Sequence, residues 1–224
     1  MTTSSNSWGK LVGESRCGCC VMPNHFHLVL RPRDDGDLGR WMQWLLTSHV
    51  RRHHRRHDIS GHLWQGRFKA FPIEHRGANA AERGLGTVQP VDPLWVVLRY
   101  VERNPVRAGL ARRAEQWPWS SLRWWLDAGE KAARDPPGGL DIRRAMVGKA
   151  PPGDCPLVLA MERPVGWLEL VKDPQTDAEL ASVRHSVERG RPFGSDNWVK
   201  RMAETLGLES SLRPRGRPNK CSKQ

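Results

Sequence analysis

Tyrosine is almost missing from this chain: Tyr100 is the one example in 224 residues, beside 4 phenylalanines and 11 tryptophans. A chain so rich in one large aromatic has no general packing use for another. The ordinary reading of a lone tyrosine is a core aromatic whose hydroxyl finds a partner; a chemical role is the alternative. Also absent is any Gly-Phe-Gly-Phe run of the kind on which RNA-recognition sheets stack bases. No stretch reaches the roughly 18 to 20 apolar residues that a membrane-crossing helix needs, so no membrane partner is expected. Five cysteines, with Cys17, Cys19 and Cys20 crowded together, make no even disulfide framework. The first ten residues are rich in Ser and Thr rather than hydrophobic, and a reduced, cytoplasmic protein is expected. Acidic charge is short as well. Thirty-six Lys and Arg oppose 24 Asp and Glu, for a net charge of +12. A sequence pI near 10.3 carries the electrostatic footprint of a nucleic-acid binder.

What is present suffices for one sizeable core, or a domain with a small appendage. Hydrophobic residues make up 38%, and 21 glycines bring the total near the globular average. Two apolar runs flank Pro23-Asn24, the pattern of adjacent strands joined by a tight turn. Leu38, Trp41, Met42, Leu45, His49 and Val50 follow the helical period. A further strand is predicted over 62–73, and a loop over 76–93. The apolar segment Leu94 to Val101 runs into Asn104-Pro105, so its helix should end or kink at Asn104. Ser120-Ser121 is a helix start with a serine cap, and residues 130–175 show no sustained period. Thr176 and Glu179 have capping-box spacing, and Ser195 should cap another helix that ends at Gly207. The predicted organisation is a domain over 16–127 and a linker over 128–175. A helical hairpin or helix-turn-helix-like extension over 176–212 and a basic tail over 213–224 follow.

His25-Phe26-His27 carries the first chemical signal. On a strand, residues i and i+2 project from one face, so both imidazoles point the same way and Phe26 the other. Two co-facial histidines make half of a metal site. The motif alone is weak, since nine histidines occur and five lie between His49 and His62. Tyr100 lies at helical spacing from Asn104, which places phenol and carboxamide on one helix face. Zinc held by Cys17, Cys19 and Cys20 with the histidines is a competing reading. Consecutive cysteines on a strand face opposite ways, which argues against it.

Four segments together resemble one family. They are Val21-Met22-Pro23-Asn24-His25-Phe26-His27-Leu28-Val29-Leu30, Leu63-Trp64-Gln65-Gly66-Arg67-Phe68, Arg99 through Leu110, and Trp117-Pro118-Trp119-Ser120-Ser121. In this order they are similar to the REP-associated branch of the single-tyrosine (HUH) transposases, over about residues 17–127. The resemblance implies an α+β fold, with a ferredoxin- or RRM-like antiparallel sheet and helices on one side. It implies that Tyr100 attacks a backbone phosphorus of single-stranded DNA, leaving a 5′-phosphotyrosine link and a free 3′-hydroxyl. It further implies a divalent ion, Mg2+ or Mn2+, held by His25, His27 and Asn104; imidazole ligands favour Mn2+ of the two. The implied partners are hairpin-forming single-stranded repeats, with a homodimer in some branches. The implied setting is the bacterial cytoplasm and its nucleoid.

Basic residues outside that site are candidate DNA contacts: Arg51, Arg52, Arg55, Arg56 and Arg67. Arg213, Arg215 and Arg217 lie in an AT-hook-like tail whose extended Arg-Gly-Arg core suits a narrow minor groove. Two departures from the family stand out. Only about 16 residues precede the first strand, where members carry a further strand and helix, and residues 77–93 lack the family's compact helical lead-in. A truncated, catalytically inactive remnant that only binds DNA is therefore the alternative expectation.

Overall fold

The computed structural model describes residues 18–32, 34–76, 92–130 and 163–214, with 128–130 by backbone alone. It divides into two compact units. The first comprises Met1–Phe68 with Leu98–Pro174, and the second Lys69–Val97 with Gln175–Gln224.

In the first unit, strands β1 (Gly18–Val21) and β2 (Phe26–Val29) pair antiparallel, with Cys20 opposite His27 and Val21 opposite Phe26. Met22 N–H donates to the His25 carbonyl, closing the predicted Pro23-Asn24 turn. The pleat then sorts side chains. Phe26 and Leu28 join Trp41, Met42 and Leu45 of α1 (Asp37–His57) in one cluster. Gly18 and His27, on the opposite face, meet Leu98 and Tyr100 of α2 (Pro93–Glu102). The α+β class is as expected, and the described ribbon, two strands wide, carries helix on each face.

Helix α1 starts where periodicity places it and continues to His57 through the Arg- and His-rich stretch. As predicted, α2 stops short of Asn104, and a short helix α3 (Asn104–Arg107) follows at once with Pro105 in its first turn. Helix α4 (Ser121–Glu130) begins behind Ser120, whose hydroxyl accepts the Leu122 N–H at 3.3 Å.

Two expectations fail in this unit and its borders. No strand forms over 62–73; Gly61 and Gly66 have positive φ, and Ile73 alone makes an isolated bridge, to Phe193 in the second unit's own segment. Within the stretch read as linker lies α5 (Trp167–Lys172), whose Trp167 and Val171 are buried. The segments 77–91 and 131–162 fall outside the described residues.

In the second unit, α6 (Asp177–Arg189) begins in the predicted capping box, with Thr176 and Glu179 bonded reciprocally. Helix α7 (Asp196–Leu206) ends at Gly207, whose φ of 65° needs glycine. Ser195 occupies its N-cap position without capping it. Its hydroxyl instead donates to Glu74 Oε1 at 3.1 Å and its N–H to Oε2 at 2.7 Å. A carboxylate takes the place at the helix start that serine was expected to fill.

Candidate active site

Three short stretches of the first unit converge on one spot. The β-turn and β2 bring His25 and His27, α2 brings Tyr100, and α3 brings Asn104. The His25 and His27 rings lie 5.0 Å apart, edge to face, and the His27 and Tyr100 rings 5.8 Å apart. Asn104 Nδ2 donates to His25 Nε2 at 3.3 Å. His25 is exposed, His27 and Tyr100 half-buried, and Asn104 buried.

Helical register explains the last pair. Although α2 and α3 are separate, Arg103 N–H still donates to Arg99 O and Ala108 N–H to Asn104 O. Asn104 therefore stays about one turn below Tyr100 on the same side.

The protonation states follow from neighbours. Burial, then His25, then Arg107 push the His27 pKa down to about 4, so its imidazole is neutral at physiological pH. His25 Nδ1 lies 2.7 Å from Asn24 Oδ1, and its Nε2 faces Asn104.

This donor set fits a divalent cation in kind. Imidazole nitrogens are suitable donors, whereas Asn104 turns Nδ2 to His25 and Oδ1 to Arg107, so its oxygen would have to swing round to serve as a third donor. Among the described residues, no group of three or more His, Cys, Asp or Glu is placed to hold a metal. The zinc alternative fares worse. Cys19 and Cys20 are both buried, and burial, reinforced by Glu102, pushes the Cys20 thiol up to about 12, far from the thiolate that zinc requires. Cys17 lies outside the described residues.

Arg107 is a site residue that the sequence reading missed. Its guanidinium carbon sits 4.0 Å from the centre of the Tyr100 ring. Nη2 also donates to the Tyr100 carbonyl at 2.7 Å and to Asn104 Oδ1 at 3.0 Å. The spacing Tyr100, Asn104, Arg107 runs i, i+4, i+7 along one helical stripe, and that signal was available. The predicted DNA contacts are elsewhere. Arg51, Arg52, Arg55 and Arg56 are exposed on the C-terminal half of α1, and Arg67 is exposed on the loop beyond it. Arg213 is exposed in the second unit, while Arg215 and Arg217 lie outside the described residues.

Residues 15–83 match the model of the family described as transposase, IS200-like. Over that span the chain is similar to IS200-like transposases. The span is under half of the 224 residues, and holds His25, His27 and the α1 arginines but neither Tyr100 nor Asn104. No curated protein and no solved structure matches the chain at a significant level. No helix among the described residues is long and apolar enough to cross a membrane.

Proposed function

We propose that the chain nicks and rejoins single-stranded DNA, with Tyr100 as nucleophile. The convergence of His25, His27, Tyr100 and Asn104 is the observation that supports this reading. The phenol oxygen of Tyr100 attacks a backbone phosphorus, the new phosphorus–oxygen bond forms, and the bond to the 3′ oxygen breaks. The phenolic proton passes to solvent, and the departing 3′ oxygen takes up a proton from it. The 5′-phosphotyrosine that results conserves the energy of the broken diester, so a 3′-hydroxyl can reverse the step and join a strand.

A free phenol ionises near pH ~10, so the step needs help at neutral pH. A divalent ion, Mg2+ or Mn2+, bound by His25, His27 and Asn104, would polarise the scissile phosphate and offset its developing charge. The residues themselves set the stage. His27 stays neutral and meets the Tyr100 ring edge to face, which fixes the phenol beside the imidazole pair. Asn104 closes on His25 from the adjoining helix. The exposed arginines of α1 supply cationic surface for the strand's phosphates. Hairpin-forming repeats are the proposed substrate class, following the family resemblance.

A labelled single-stranded hairpin incubated with Mn2+ tests this. A covalent adduct on a denaturing gel that disappears in Tyr100→Phe is the expected outcome. Tight binding with no adduct in Mg2+ or Mn2+ would sink the enzyme reading and leave a DNA-binding remnant. The ligand set is checked apart from activity by Mn2+ titration, since unchanged affinity in His25→Ala with His27→Ala discards it.

A further inference from the structure

We infer that Arg107 is a positioning residue, clamping the nucleophile Tyr100 and the carboxamide of Asn104 into one rigid unit. This rests on the strand-transfer reading given above. Three of Arg107's contacts go to those two residues: the face of the Tyr100 ring, the Tyr100 carbonyl and Asn104 Oδ1. The chain needs such a clamp at this place. Tyr100 lies in the last turn of one helix and Asn104 opens the next, and Pro105 has no N–H to continue the ladder between them. Arg107 spans the break on the side where the chemistry sits. The guanidinium lies over the ring and His27 meets it edge to face, so the phenol is packed against two neighbours. The bond to Oδ1 also orients the Asn104 amide with Nδ2 toward His25, so a role for Oδ1 beside His25 would need that bond to be released.

A guanidinium suits this and an ammonium does not. Stacking on a ring while donating in two directions within its own plane requires the flat, forked group of arginine. Arg107→Lys keeps the charge and loses the clamp, which separates positioning from a mere electrostatic contribution.

The lone tyrosine makes the test specific to one residue. The full chain grown with 3-fluorotyrosine carries a single 19F label, read without metal or DNA. Expected is one resonance displaced from that of the free amino acid, moving towards the free position in both Arg107→Ala and Arg107→Lys. Tryptophan emission and thermal midpoint should stay as in the unsubstituted chain. In single-turnover assays at saturating single-stranded DNA, adduct formation should fall about 100-fold in both variants, the scale of a misplaced reacting group. The Kd for the strand should hold, and added guanidinium should restore part of the Arg107→Ala rate. An unmoved 19F resonance overturns the inference, as does a rate loss accounted for wholly by weaker binding. If the unsubstituted chain forms no adduct, the strand-transfer reading fails, and the 19F comparison still decides whether Arg107 holds the ring.

Discussion

His49 shows how one residue's surroundings fix its chemistry. It lies half-buried on α1, its ring 5.1 Å from Trp64 and 6.0 Å from His53, with a buried Nδ1 that has no hydrogen-bond partner among the described residues. Burial first, then the nearby charges of His53 and Arg52, hold its pKa below the usual 6.5. The folded imidazole is therefore neutral where the unfolded one, at lower pH, takes up a proton. Below about pH 6.5 the unfolded chain binds more protons than the folded one, so stability is lost as pH falls. His49→Phe keeps an aromatic ring and removes the titration. Its urea midpoint, relative to the unsubstituted chain, should improve steadily between about pH 7.5 and about pH 5. A difference that stays flat across that range refutes the assignment.

At the scale of elements, Glu102 ties the first unit together. It is fully buried at the end of α2. Ser121 Oγ of α4 donates to its Oε1 at 2.6 Å, and Trp167 Nε1 of α5 to its Oε2 at 2.8 Å. Arg163, also buried, forms an ion pair with Oε1. Removing the carboxylate strands a buried guanidinium and two donors, a loss of about 3–5 kcal/mol in chemical denaturation for Glu102→Ala. Replacing both charges, as in Glu102→Leu with Arg163→Met, should recover most of that stability. A double variant no better than the single one would show that the charges are not what Glu102→Ala exposes. The same region marks where sequence reading stops. Helix α6 was legible from Thr176 and Glu179, because a capping box is local chemistry, and the break at Asn104 was legible because proline's geometry is local too. Helix α5 was not legible. It spans six residues, too few to display a period, and its buried Trp167 is accounted for by Glu102, 65 positions earlier. The strand expected over 62–73 failed for the converse reason, since strand-like composition cannot supply a partner to pair with. In the site, the histidine pair and Asn104 followed from spacing. Arg107 was overlooked because an arginine on a helix is usually solvated, and the Tyr100 ring and Asn104 carboxamide beside this one are what engage it.

Charge is a property of the whole molecule, and at +12 it should dominate how this protein meets a strand of DNA. Arg51, Arg52, Arg55 and Arg56 stand exposed within two turns of α1. On a single strand each phosphate neutralised contributes roughly 0.7 to the slope of log affinity against log salt concentration. If all four arginines reach phosphates, replacing them with alanine should flatten that slope by about 3. The effect should be nearly the same for unrelated sequences, because phosphate contacts carry no base information. Adduct formation at saturating DNA should be spared, since none of the four belongs to the set formed by His25, His27, Tyr100 and Asn104. Fluorescence anisotropy over a salt series measures the slope, and single-turnover gels measure the adduct. An unchanged slope would move the contact surface off α1. A collapsed adduct rate with the strand fully bound would instead mean that these arginines guide the scissile phosphate to Tyr100 and do more than collect the strand.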